Sequence, residues 1–205
     1  IPLSYLEPLN DIVQSNSLQC PAVSYIPQLP ITNLVDVARG SYGMTQRGMM
    51  NGRSVIVKTS LTNQICDMKR EALIGSLIND IESPNFMKTY GLLPDNRLVL
   101  EDIQNAIPLS KANLSTREWN QVLCQIFASL QLAYDKIQFT HYDLHSGNIL
   151  LQMHNDEQVF TYKISDNVDV TIKSKYQPRI IDYGFSHVRY GGWDIGYTTP
   201  TSKGV

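Results

Sequence analysis

The residues with the clearest chemical potential lie in segment 141–151, HYDLHSGNILL. Asp143 and Asn148 sit five positions apart in its polar part, and an apolar strand is predicted directly after Asn148. A carboxylate can accept the proton of a hydroxyl nucleophile, and an amide oxygen can bind a hard cation such as Mg²⁺. The spacing therefore predicts a loop that carries a candidate base and a candidate metal ligand.

A second carboxylate follows another apolar run. Ile180 and Ile181 lead into Asp182, and Gly184 makes the next turn flexible. An acidic side chain that leaves a buried strand into such a turn is well placed to hold a metal ion at a cleft. Taken alone, an aspartate in a loop is more often an ordinary turn residue.

The histidines of the first segment leave an alternative open. His141 and His145 are four positions apart, and with Asp143 they have the residue types of a zinc site. Gly147 and the predicted strand after it argue against the helix that would place both histidines on one face. Ordinary packed or surface histidines are the simpler interpretation.

The two acidic segments together resemble a known pair of motifs. Segment 141–151 is similar to the protein-kinase catalytic loop H-x-D-L-x-x-x-N, and residues 182–184, DYG, are similar to the downstream D-F-G metal motif. Matching His, Asp and Asn at these spacings, beside apolar strands, is a more specific signal than any single residue.

The upstream residues follow the same family order. Lys58 ends a short β-branched strand, as in the V-A-I-K strand of kinases, and Glu71 lies in the amphipathic helix predicted next. Gly40 and Gly43 precede Lys58 and resemble the second half of the glycine-rich loop. The resemblance covers about residues 34–195.

The resemblance implies how ATP would be bound. The two glycines would let backbone N–H groups approach the phosphates, Lys58 would hold the α- and β-phosphates, and Glu71 would hold Lys58 in position. Backbone groups of Glu101 and Ile103 would face the adenine.

The resemblance also assigns the chemical step. Asn148 and Asp182 would bind Mg²⁺, and Asp143 would orient and deprotonate the acceptor hydroxyl. His145 stands where serine/threonine kinases commonly have Lys, and it is counted among the candidate catalytic residues.

Several positions depart from the common kinase pattern. Ala38 replaces the first glycine of the loop, Tyr142 replaces the Arg of H-R-D, and Tyr183 replaces the Phe of D-F-G.

The string D-L-H-x-G-N is similar to that of haspin-like kinases, of kinase-like proteins of large DNA viruses, and of aminoglycoside and choline kinases. The polar stretch 152–178 is a longer connection than usual, and haspin-like proteins also carry an insertion there. No A-P-E motif follows, so a reduced C-lobe is expected.

The composition of the chain excludes some classes of function and partner. A net charge of −2 excludes a strongly basic nucleic-acid footprint, and no apolar run is long enough for a membrane helix. The three cysteines are far apart and indicate reduced thiols in an intracellular compartment, cytoplasmic or nuclear. Association with a virion is a further expectation, which the similarity to kinase-like proteins of large DNA viruses implies. Neither a nucleic-acid nor a membrane partner is expected.

Local patterns predict the elements. A capping box at Ser115 and Glu118 starts a helix over 116–137, and a helical spacing of apolar residues over 68–81 predicts another that stops at 83–85. Strands are predicted at these short apolar runs: 31–37, 54–58, 86–91, 97–101 and 179–181.

The sequence therefore predicts an α+β, protein-kinase-like bilobal fold with a β-rich N-lobe and a reduced helical C-lobe. The expected division is a Pro-rich extension over 1–30, the N-lobe and hinge over 31–103, and a partial C-lobe over 104–205. A partner chain that completes the C-lobe is one expectation.

The predicted activity is transfer of the ATP γ-phosphate to a hydroxyl, with Mg²⁺ as cofactor and a Ser/Thr protein as substrate. One alternative is a small-molecule kinase of the aminoglycoside or choline type. The other is a non-catalytic, kinase-like structural or scaffold protein, such as a virion component.

Overall fold

A computed structural model describes residues 30–39, 43–61 and 65–197. The described chain forms two compact units. The first comprises the residues up to Ser76 together with Lys88–Asp102, and the second comprises Leu77–Met87 together with the residues from Ile103 onward. The predicted Pro-rich extension lies almost entirely outside the described residues, and the predicted domain boundaries stay a prediction.

The first unit is an antiparallel five-stranded sheet with one helix, and its strand order is β1-β2-β3-β5-β4. The bounds are β1 Ile31–Arg39, β2 Gly43–Met50, β3 Arg53–Ser60, α1 Ile65–Ile78, β4 Thr89–Leu92 and β5 Leu98–Glu101.

Strand alternation builds the core of this sheet. Val55 and Val57 of β3 point to the same face, are almost fully buried, and pack with Val99 and Leu93. Helix α1 ends at Ile78, before the predicted stop at 83–85, and the chain continues in tighter turns in which Asp80 and Ile81 donate to the carbonyls three residues before them.

The second unit combines one long helix with a three-stranded antiparallel sheet of order β6-β7-β8 and a short hairpin. The bounds are β6 Ala106–Pro108, a 3-10 turn Leu109–Lys111, α2 Thr116–Ile137, β7 Ile149–Ser165, β8 Val168–Ile180, β9 His187–Tyr190 and β10 Trp193–Gly196. In the described part of the chain, none of the helices has the length and apolar character needed to cross a membrane.

Helix α2 begins where the sequence predicts. The Ser115 hydroxyl accepts the N–H of Glu118, and the Glu118 carboxylate accepts the backbone N–H of Ser115. Hydrogen bonds from the Ser115 hydroxyl and backbone lower the pKa of the Glu118 carboxyl. This reciprocal pair fixes the start of the helix that carries one wall of the second core.

The polar stretch 152–178 is mostly a long hairpin of β7 and β8, not an irregular connection. Phe160 and Tyr162 point inward and pack with Ala128 of α2, while Thr161 between them and Lys163 after them are exposed. Polar residues on the solvent-facing side hide this strand pattern in the sequence.

A buried hydrogen-bond network centres on Asn85. Its Nδ2 donates to the Pro178 carbonyl oxygen at 2.7 Å, and its Oδ1 accepts bonds from the hydroxyls of Tyr162 at 2.5 Å and Ser129 at 2.9 Å. Asn85, Tyr162 and Ser129 are all fully buried, and burial raises the pKa of the Tyr162 phenol, which keeps it a neutral donor. The network joins α2 and both hairpin strands.

Asn85→Ala is expected to lower the free energy of unfolding by roughly 2–4 kcal/mol, since it leaves several buried groups unpaired. Urea denaturation measures the change. Asn120→Ala, at an exposed position of α2, is the matched control and is expected to change stability by about 0.5 kcal/mol or less. Equal stability of the two variants would contradict the central role of Asn85.

Candidate functional site

Strand β3 and helix α1 bring together a Lys–Glu pair in the first unit. The Nζ atom of Lys58 lies 2.9 Å from both carboxylate oxygens of Glu71. The Glu71 side chain is 1% exposed, against 18% for Lys58. A buried carboxylate remains ionised only when a cation is held against it, so this pair fixes the position of the ammonium group.

The glycine segment is described only in part. Gly43 opens β2, and a Cβ atom there would lie 2.9 Å from the carbonyl oxygen of Thr59 on the paired strand. This close backbone approach requires glycine. Gly40 lies outside the described residues, so its proposed role in phosphate binding stays a prediction.

A compact loop between α2 and β7 holds Asp143 and Asn148. The Asn148 side-chain Nδ2 donates to the backbone oxygen of Asp143 at 3.0 Å and to its Oδ2 at 3.3 Å, while the Asn148 backbone N–H donates to the carbonyl of His145. Because Nδ2 is committed to Asp143, Oδ1 is the Asn148 atom suited to a cation.

Strand pairing brings Asp182 next to this loop. Ile149 pairs with Ile180 at the end of the β7–β8 ladder, and the backbone N–H of Ile181 donates to the carbonyl of Asn148 at 3.0 Å. Asp182 has φ +65°, a left-handed conformation that is uncommon outside glycine. Strained backbone of this kind clusters at functional sites.

The Asn148 and Asp182 segments fit a hard cation. Their backbones meet, so a residue with an amide oxygen and a residue with a carboxylate leave neighbouring positions, and oxygen donors are what Mg²⁺ takes in proteins. Phosphate oxygens of a nucleotide normally supply the further ligands of such a site.

His141 and Tyr183 anchor these two loops to the core. The His141 Nε2 lies 2.9 Å from the carbonyl of Ile181, and its ring packs edge-on against Phe139 and Tyr183. Burial lowers the pKa of His141, so the neutral ring donates its Nε2–H to that carbonyl. The Tyr183 hydroxyl is hydrogen-bonded to the carbonyls of Met87 and Ile180.

His145 lies at the exposed edge of the loop. Its Nδ1 accepts the backbone N–H of Gly147 at 3.0 Å, and its Nε2 lies 3.8 Å from Oδ2 of Asp143. The bond from Gly147 directs the other ring nitrogen toward the Asp143 carboxylate. Because Nδ1 accepts a hydrogen bond, the ring hydrogen is on Nε2, the nitrogen that faces the Asp143 carboxylate.

The structure thus gathers the predicted residues into two groups. Asp143, His145, Asn148 and Asp182 share one loop cluster of the second unit, whereas the Lys58–Glu71 pair belongs to the first. Glu101 ends β5 in the first unit, and Ile103 opens the second.

The sequence interpretation missed the positioning roles of His141 and Tyr183. It gave His141 the simpler interpretation of a packed or surface histidine, and it noted Tyr183 only as a departure from the D-F-G motif. An aromatic residue inside each motif, together with Phe139 just before the first, is the signal that could have predicted their contact.

Comparison with known proteins finds relatives that are named as kinases. The chain is 28% identical over 166 residues to Probable kinase 098L of Invertebrate iridescent virus 3, a match that covers 77% of this chain and 31% of the viral protein. It is 27% identical over 147 residues to a probable LIM domain-containing serine/threonine-protein kinase of Dictyostelium discoideum, which covers 65% of this chain and 22% of that protein. The chain therefore spans about a third or less of these relatives.

A solved structure shows the fold independently. The crystal structure of the kinase domain PF14_0431 matches with a TM-score of 0.51 at 16% identity, covering 74% of this chain and 49% of that one. No protein-family model matches the sequence. The predicted kinase-like fold, with a β-rich first part and a reduced helical part, is confirmed. Sequence similarity and fold therefore agree: the chain is similar to proteins named as probable kinases, and its fold is that of a kinase domain.

Proposed function

We propose that this protein is an ATP-dependent phosphotransferase that moves the γ-phosphate to a hydroxyl acceptor. The observation that carries the proposal is the formed ion pair of Lys58 and Glu71. In protein kinases this pair and the metal-binding Asp must both be in place for transfer. A non-catalytic scaffold has no need to bury a carboxylate against a lysine here.

The residues divide the work as follows. Lys58 holds the α- and β-phosphates, and Asn148 and Asp182 hold Mg²⁺, which neutralises charge on the phosphates. Asp143 accepts the proton of the acceptor hydroxyl as that oxygen bonds to the γ-phosphorus and the bond to the β-phosphate oxygen breaks, leaving ADP. Catalysis of this kind is mostly positioning and electrostatics, which the hydrogen bonds around Asp143 favour.

The acceptor we propose is a Ser or Thr hydroxyl of a protein. The Dictyostelium relative is named as a serine/threonine-protein kinase, which supports this choice. The string Asp143-Leu144-His145 favours the second candidate, a small-molecule hydroxyl. We also propose that the D-L-H-x-G-N motif places the protein near the haspin-like kinases.

We also propose that further polypeptide covers one face of the second unit. A cavity of about 490 Å³ between α2 and the loop before β7 is bordered by Phe127, Tyr134 and Leu144, whose exposed fractions are 63%, 55% and 37%. Contiguous exposed apolar side chains often mark a site where another polypeptide binds. The kinase-domain relative has about twice the matched length, which is consistent with a covering segment or partner chain.

Lys58→Met is expected to lower the rate of phosphoryl transfer by about 100-fold or more, because the positive charge that holds the phosphates is lost. A radiolabelled-ATP assay measures the rate. Lys163→Met, on the exposed face of β7, is the control and is expected to keep the wild-type rate. An unaffected rate in Lys58→Met would mean that another residue holds the phosphates.

Asp182→Asn is expected to abolish Mg²⁺-dependent turnover while the melting temperature stays near that of the wild type. Asn tolerates the left-handed conformation at this position, so the change removes charge and spares the backbone. Mg²⁺ titration of the activity is the measurement, and Asp166→Asn at the exposed hairpin turn is the control. Retained metal dependence would refute the role of Asp182.

Nucleotide binding and an acceptor screen test the function itself. Mg²⁺·ATP at 100 times its Kd is expected to stabilise the protein by about 2.7 kcal/mol, and a Ser/Thr protein mixture is expected to become labelled. Labelling of aminoglycoside- or choline-like acceptors alone would establish the small-molecule alternative. Absence of any thermal shift would support the non-catalytic scaffold.

A further inference from the structure

A charged cluster lies at the end of β5, away from the Lys58–Glu71 pair. Asp102 directly follows this strand, and its side chain is 2% exposed. Arg47 binds it through two nitrogens, with Nε at 2.8 Å from Oδ2 and Nη2 at 3.0 Å from Oδ1. The Ser54 hydroxyl donates to Oδ2 at 2.6 Å. These three hydrogen bonds hold the carboxylate in place.

The sheet order explains why an arginine is needed. Arg47 lies on β2 and Ser54 on β3, and β3 separates β2 from β5. Arg47 therefore reaches across one whole strand, a span of roughly 10 Å at about 4.8 Å per strand. Its planar guanidinium matches both carboxylate oxygens, which a lysine cannot do. Side chains from β2 and β3 therefore both bind Asp102, the residue that follows β5.

This cluster is a poor device for stability alone. The carboxylate is buried but the Arg47 side chain is 52% exposed, and an ion pair open to solvent on one side adds little to stability, because water screens it while the buried charge has lost its hydration. What the cluster supplies is position. Asp102 cannot move without leaving its carboxylate unpaired, and its neighbour Glu101 is held on the other side by a backbone bond to the carbonyl of Lys88 at 2.9 Å. These two restraints limit rotation of the Glu101–Asp102 peptide that lies between them.

We propose that Arg47 and Ser54 are positioning residues for nucleotide recognition. Through Asp102 they restrain the backbone of Glu101, one of the residues whose backbone groups are expected to face the base of ATP. The inference rests on the proposed function and adds to it the device that orders the base-binding segment before the nucleotide arrives. It predicts that loss of Arg47 or Ser54 weakens binding of the base and leaves binding of the phosphates unchanged.

The test measures the affinity of the protein for three probes by calorimetry: Mg²⁺·ATP, adenosine and Mg²⁺·tripolyphosphate. Arg47→Gln is expected to weaken ATP and adenosine by the same factor, about tenfold, and to leave tripolyphosphate within about twofold. Arg47→Lys keeps the charge and one bond, and is expected to restore part of the adenosine affinity. Arg53→Gln, an exposed arginine at the start of β3, is the control and is expected to match the wild type.

Equal weakening of all three probes would show a merely structural role and overturn the inference, as would unchanged adenosine affinity in Arg47→Gln. Should Arg47→Gln fail to fold, Ser54→Ala carries the same comparison. It is expected to weaken ATP and adenosine by about threefold and to spare tripolyphosphate. A wild-type protein that binds no ATP would overturn the proposed function itself, a result distinct from a variant that behaves like the wild type.

Discussion

The second unit depends on Asn85, because a buried amide is tolerated only when its polar atoms are paired. Its Nδ2 binds the carbonyl of Pro178 on β8, its Oδ1 binds the hydroxyl of Tyr162 on β7, and its own carbonyl accepts the N–H of Ile180. One side chain and one peptide group therefore bond to both strands of the long hairpin, to β8 at its base and to β7 near the turn. An apolar residue could fill the same space but would leave these partners unsatisfied.

The base of the hairpin in turn sets the geometry of the loop cluster. Asn148 stands just before β7 and Asp182 just after β8, so the last rungs of one antiparallel ladder place them side by side. His141 and Tyr183 then lock the two loops to each other through a hydrogen bond and a ring contact. The candidate metal ligands are thus positioned by strand pairing and aromatic packing, both of which lie in the core and outside the motif strings.

Local signals were the predictable part of this protein. The capping box at Ser115 and Glu118 and the pairing of Lys58 with Glu71 follow from short patterns whose physical meaning is local or supported by family resemblance. The β7–β8 hairpin and the partners of Asp102 were not predictable in the same way. Alternation in the hairpin is hidden by its polar exposed face, and contacts that join residues 48 to 55 positions apart leave no periodic trace in one sequence.

Two buried carboxylates, Glu71 and Asp102, hold residues at the two ends of the β3–β5 ladder in fixed positions. Glu71 holds Lys58, and Asp102 is held by Arg47. The β3–β5 ladder lies between these two clamps, with Lys58 paired to Leu98 at one end and Glu101 paired to Val55 at the other. Three residue steps separate its ends, about 10 Å of extended strand. The candidate phosphate-holding and base-facing groups are therefore kept at a fixed distance, so a nucleotide that binds both meets groups that are already ordered, which lowers the entropic cost of binding.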